Sequence, residues 1–182
     1  MSTIKLISCA SLLFAAVLAV PAHAVTSDAD YKAGKDRISA DYKADKAACD
    51  GLAGNAKDIC VEQAKGKENV AKAELEYAHT GKGSDGNKVA VAKADAAYAV
   101  AKEKCDDLSG NPKDVCVKEA KAAHVKGLAQ AKASKQTAEA RSDASKDMRD
   151  ADYKVAAEKC EALAGDPKAA CMSAAKAKYG KS

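Results

Sequence analysis

The chain has 182 residues, with 30 Lys and Arg against 26 Asp and Glu and a formal net charge of +4. Aromatic residues are 4% of the total and Trp is absent, which excludes a core built on large aromatic side chains. The near balance of charge excludes a strongly basic nucleic-acid binder.

Residues 1–24 read as a secretory signal peptide. Lys5 supplies the positive start, Leu6 to Val20 the apolar run, and Ala22-His23-Ala24 the small-x-small cleavage site, with cleavage expected after Ala24. The apolar run is short for a membrane span, which needs about 20 residues. An exported chain is expected in an oxidising compartment, where cysteines pair. The expected location is the periplasm, with secretion the alternative. From residue 25 onward, Ala accounts for 38 of 158 residues, and Leu, Ile, Val and Phe together for 17. So little large apolar surface raises disorder, whereas the modest net charge opposes it.

Three segments then align without gaps: Tyr42 to Lys65, Tyr98 to Lys121 and Tyr153 to Lys176, at a period of about 55 residues. Each copy has Tyr, Cys seven later, Leu three later, Gly two later, and a second Cys eleven after the first. All six cysteines after residue 24 fall in this frame, as Cys49/Cys60, Cys105/Cys116 and Cys160/Cys171. Gly54, Gly110 and Gly165 suit the left-handed position just past a helix end. Asn55, Asn111 and Asp166 then suit an N-cap, and Pro112 and Pro167 the first helical position. Asp58 and Asp114 are expected in the first turn of the new helix. A helix stop and a helix start so close together make a tight αα-hairpin. The two cysteines of each copy lie five residues before and six after the glycine, so folding the hairpin sets them face to face. The expected disulfides are Cys49–Cys60, Cys105–Cys116 and Cys160–Cys171, each worth about 2–3 kcal/mol in the loop-entropy treatment. Tyr42, Cys49 and Leu52 share a helix face by periodicity. So do Tyr98, Cys105 and Leu108, and Tyr153, Cys160 and Leu163. Ala64, Ala120 and Ala175 are expected opposite them.

The expected fold is all-α: three tandem disulfide-stapled hairpins with long Ala/Lys-rich, coiled-coil-like arms. The organisation is 1–24 signal peptide, 25–80 first hairpin, 81–87 loop, 88–137 second hairpin and 138–182 third hairpin. Pro112 to Ala164 contains no further proline and one glycine, Gly127. If unbroken, it is one helix of about 80 Å. The stretch Ala133 to Asp150, rich in Ser, Lys and Asp, is expected to fray or bend.

The sequence carries few signs of chemistry. His79 and His124 stand at different offsets from Cys60 and Cys116, the second cysteines of their copies, so no metal site recurs with the repeat. No CxxC, CxxCH, HExxH, GxSxG or phosphate loop occurs, and neither a catalytic residue nor a cofactor site is expected. Lys57, Lys113 and Lys168 recur after each turn, as do Lys65, Lys121 and Lys176. They form a candidate ridge for an anionic envelope surface, beside the simpler reading of helix solubility. Segments such as AKAELEYA and AQAKASKQTAEARS resemble, in composition, the long helical region of TolA-like cell-envelope proteins. That resemblance implies an envelope setting and transfers no functional residue, since the C-x10-C hairpins lie outside the TolA-like pattern. The expected function is an exported, non-enzymatic helical module of the cell envelope, structural or binding an envelope protein. The alternative is a periplasmic metal- or small-molecule-binding stress protein using His79 or His124.

Overall fold

A computed structural model describes residues 26–181; the expected signal segment 1–24 lies outside these. The described chain is all-α: α1 (Asp28–Ala48), α2 (Gly54–Thr80), α3 (Gly83–Cys105), α4 (Gly110–Glu161) and α5 (Gly165–Tyr179), with a single 3-10 turn at Cys49–Gly51. None of these helices is long and apolar enough to cross a membrane. Ala, Lys, Glu and Gln supply the helical propensity. At the start of α1, the Ser27 hydroxyl oxygen accepts from the Asp30 N–H at 3.1 Å, satisfying one of the unpaired donors of the first turn.

Three disulfides staple three corners. Cys49–Cys60, Cys105–Cys116 and Cys160–Cys171 have Cα separations of 5.7, 5.6 and 5.7 Å, within the range a disulfide requires. Gly54, Gly110 and Gly165 have φ of +57°, +61° and +60°, the left-handed backbone expected of them. Their place differs from expectation. Each opens the following helix, and a short linker separates it from the end of the 3-10 turn at Gly51, of α3 at Cys105 or of α4 at Glu161. Asn55, Asn111 and Asp166 therefore lie inside the first turn and do not cap it. The cap positions are Ala53, Ser109 and Ala164, without a side-chain bond. Asp58 and Asp114 fall beyond the first turn for the same reason. The Asn55 amide instead donates to the Glu103 carbonyl at 2.8 Å, tying the first corner to the end of α3.

The wider corner also moves the leucines. Leu52, Leu108 and Leu163 are 43%, 42% and 44% exposed, because the helical phase that would turn them inward stops before they are reached. Cys49, Cys105 and Cys160 are fully buried, and Ala64, Ala120 and Ala175 are buried opposite them as expected. The core is therefore thin: half-cystines, alanines, Gly66 and Asp85.

The segment 81–87 is not a loop. Only Gly81 and Lys82 separate α2 from α3, and Gly83 to Asn87 are helical. Gly81 ends α2 at φ +64°, its N–H donating to the Tyr77 carbonyl at 2.8 Å. Asp85, at the positive end of α3, then accepts the Thr80 hydroxyl at 2.6 Å and pairs with Lys88 at 2.8 Å. Loop-like composition is overridden by a carboxylate placed where a helix start favours it.

Among the described residues each helix packs only on its chain neighbours: α1 on α2, α2 on α3, α3 on α4, α4 on α5. The result is a single serpentine layer. The first two stapled hairpins are joined side by side by α2 against α3, with Gly66 facing Ala96 so closely that a Cβ there would meet the Ala96 methyl at 2.8 Å. Helix α4 runs 52 residues without a break, about 78 Å at 1.5 Å per residue. The stretch from Ala133 to Asp150 is helical throughout, and the boundary expected at 137/138 falls inside one continuous helix. The N-terminal part of α4 packs on α3 and the C-terminal part on α5. Residues 132–144 between them are all exposed.

Candidate functional site

The corners neutralise their own lysines. Lys57 pairs with Asp50 at 3.1 Å, Lys113 with Asp106 at 2.9 Å and Lys168 with Glu161 at 2.7 Å. In every copy the acid directly follows the first cysteine and the lysine lies seven residues on, across the turn. The bond from Lys113 holds the Asp106 carboxyl below its ordinary pKa of 3.8, and Asp106 raises that of Lys113 in return. Lys65 pairs with Glu62 at 2.6 Å. Of the expected basic ridge, Lys121 and Lys176 are exposed, while the three corner lysines serve the turn. Exposed pairs of this kind are worth about 0–1 kcal/mol each, so their recurrence speaks for corner geometry more than for large stabilisation.

The two histidines lie in different helix pairs. His79 of α2 stacks on Tyr31 of α1 with ring centroids 4.3 Å apart and planes 18° apart. His124 of α4 stacks on Tyr98 of α3 at 4.7 Å and 14°. His79 Nδ1 lies 3.0 Å from the Thr26 carbonyl oxygen; only an acceptor is available there, so the ring nitrogen donates. His124 Nε2 lies 2.6 Å from Asp95 Oδ1 and by the same reasoning carries a proton. Tyr31 donates to Glu76 at 2.6 Å, and that bond raises the tyrosine pKa above 10.0. Both arrangements clamp antiparallel helices. They are one device in two registers: Tyr98 and His124 lie seven before and eight after their cysteines, and Tyr31 and His79 lie eleven further out on each arm. Among the described residues no group of three or more His, Cys, Asp or Glu is placed to hold a metal ion.

The broad face of the α2–α3–α4 layer was not visible in the sequence. One groove of about 670 Å³ crosses α2 and α3, floored by Gly66, Val70, Ala71, Ala96 and Val100. A second of about 660 Å³ crosses α3 and α4, floored by Ala90, Ala94, Ala123, Gly127 and Ala131. Lys93, Ala97 and Ala101 line both. At spacings of four residues these share one side of α3, so the grooves are two halves of one trough. Lys93–Glu74 crosses it at 2.7 Å, while Lys67 on its α2 edge pairs away from it with Asp45 of α1 at 2.8 Å.

No family model, curated protein or solved structure matches this chain.

Proposed function

We propose that the protein is an exported, non-enzymatic spacer of the cell envelope that binds an envelope protein at its ends. The observation that carries this reading is the bare middle of α4. Thirteen consecutive residues, 132–144, are exposed on every side of an unbroken helix. A helix that buries nothing along this length contributes distance, not core. At 1.5 Å per residue it holds the C-terminal hairpin about 20 Å clear of the four-helix layer.

The setting is supported by the N-terminal segment, which has the pattern of a signal peptide, and by three disulfides, which persist in oxidising compartments. The TolA-like composition of the arms agrees with that setting. The half-exposed Leu52 and Leu108 mark one end of the molecule and Leu163 the other. The corner lysines are engaged by carboxylates, which favours a protein partner over an anionic surface.

The test is photo-crosslinking in the periplasm from probes at Leu52, Leu108 and Leu163, one per strain. Reproducible adducts, different at the two ends, are the expected result. Absence of any reproducible adduct at either end refutes the reading.

A further inference from the structure

We infer that the trough across α2, α3 and α4 is the contact face for a second copy of this chain, packed through the same face. The inference does not rest on the envelope reading.

A helix with an apolar stripe needs another layer to bury it, and domains are built from two or three layers around one core. The described residues supply one layer. Helices touch only their chain neighbours, and one side of the layer consists of Ala, Gly and Val with scattered polar residues. Ala97 and Ala123, at the centre of the trough, are exposed.

The chain cannot cover this face with its own C-terminal hairpin. Helix α5 runs back along α4 only as far as the Lys181–Asp150 ion pair. The trough ends at Ser134, sixteen residues earlier, about 24 Å away along a continuous helix.

The area and the charge both suit a second copy. Three helices at about 9 Å spacing, over the roughly 35 Å length of α3, present about 900 Å². Two such faces bury about 1,800 Å², a standard-size stable interface. Two of its three lysines are already paired within the chain, Lys67 with Asp45 of the neighbouring α1 and Lys93 with Glu74, so the face carries little net charge. Such a face does not repel its own copy across a two-fold axis, whereas it offers a strongly acidic or basic partner little opposing charge. The small side chains let helices of the two copies approach closely.

The experiment uses the oxidised protein purified from the periplasm. Sedimentation equilibrium up to a few hundred micromolar is run on the parent, on Ala97→Glu at the trough centre, and on Val125→Glu. Val125 is 56% exposed and lies two residues from Gly127, about 200° round α4 on the opposite face. A dimer weakened at least tenfold by Ala97→Glu and unchanged by Val125→Glu is expected. An equal mixture of ¹⁴N and ¹⁵N protein treated with an amine crosslinker reads the same face without any mutation. Mixed-isotope links among Lys67, Lys93 and Lys104, and none among Lys72 and Lys102 on the other face, are expected. A monomer at every concentration overturns the inference. So does a dimer indifferent to Ala97→Glu, mixed links confined to the opposite face, or a different protein or lipid retained on the trough of a monomer.

Discussion

The α2–α3 contact makes a prediction whose sign opposes helix propensity. Gly66 is buried inside α2, and an added Cβ would stand 2.8 Å from the Ala96 methyl and 3.4 Å from the Ala96 Cα. Carbon atoms prefer about 3.5–4.0 Å, so Gly66→Ala forces the helices apart by roughly an ångström or strains both. Neither side has a flexible chain end that could swing away. Overpacking of this kind costs about 1–3 kcal/mol. Exchange of Gly for Ala inside a helix returns about 1 kcal/mol. The net expectation is destabilisation by about 1 kcal/mol, where propensity alone predicts a gain. Gly83 provides the control: nothing lies within 4 Å of a Cβ there, so Gly83→Ala is neutral or stabilising by a few tenths of a kcal/mol. Adding Ala96→Gly to Gly66→Ala transfers the methyl to the other helix and recovers about 1 kcal/mol or more as coupling between the two sites. Urea unfolding of the oxidised protein, followed by far-ultraviolet circular dichroism, measures these three variants, Ala96→Gly alone and the parent. Stabilisation of Gly66→Ala equal to that of a solvent-facing helical glycine refutes the close approach of α2 and α3.

Three further outcomes follow from the same structure. Non-reducing peptide mapping finds Cys49–Cys60, Cys105–Cys116 and Cys160–Cys171; removing the third with paired Cys→Ser changes costs about 2–3 kcal/mol and loosens α5 alone in hydrogen exchange, because α5 packs only on α4. Asp85, Asp106 and Asp150 are held below their ordinary pKa of 3.8, by Lys88 with Thr80, by Lys113 and by Lys181 respectively. Their folded-state pKa is the lower one, so their stabilisation is complete above about pH 5 and is lost as pH falls through the ordinary and then the depressed values; Asp85→Asn flattens that acid limb in a pH series of urea midpoints, and an unchanged slope would contradict the ion pair. Tyr98→Ala and His124→Ala are coupled by about 1 kcal/mol in a double-mutant cycle, whereas independent effects would show that the stacked pair carries no weight.

Near-symmetric placement of the cysteines about a glycine was enough to derive three corners and their disulfides, because a hairpin has only one way to bring such residues together. Continuity of α4 followed from the lack of proline, although its Ser- and Asp-rich middle read as a weak point. Propensity and unbroken backbone bonding carry the helix there without burial. The departures from expectation have local causes. The helix face assigned to Leu52, Leu108 and Leu163 assumed that helical phase continues to the glycine, and the corners begin sooner. The three glycines of residues 81–87 give the segment a loop-like composition, but Asp85 in the first turn of α3 favours a helix start there. Three lysines of the candidate ridge, Lys57, Lys113 and Lys168, are engaged by Asp50, Asp106 and Glu161 seven residues before them, a recurrence already present in the aligned copies. The trough was hidden for a different reason: it joins residues of α2, α3 and α4, and only the register between separate helices brings Gly66 to Ala96 and Gly127 to Ala94.

The bare strut is open to a single distance measurement. Spin labels attached through unnatural amino acids at Lys121 and Lys154, both on α4, flank the exposed stretch and leave the six cysteines untouched. A continuous helix places them about 50 Å apart, in a narrow distribution by pulsed electron–electron resonance. A broad distribution, or a peak well short of that separation, means that the helix bends or breaks between 132 and 144 and contradicts the spacer role proposed for this segment.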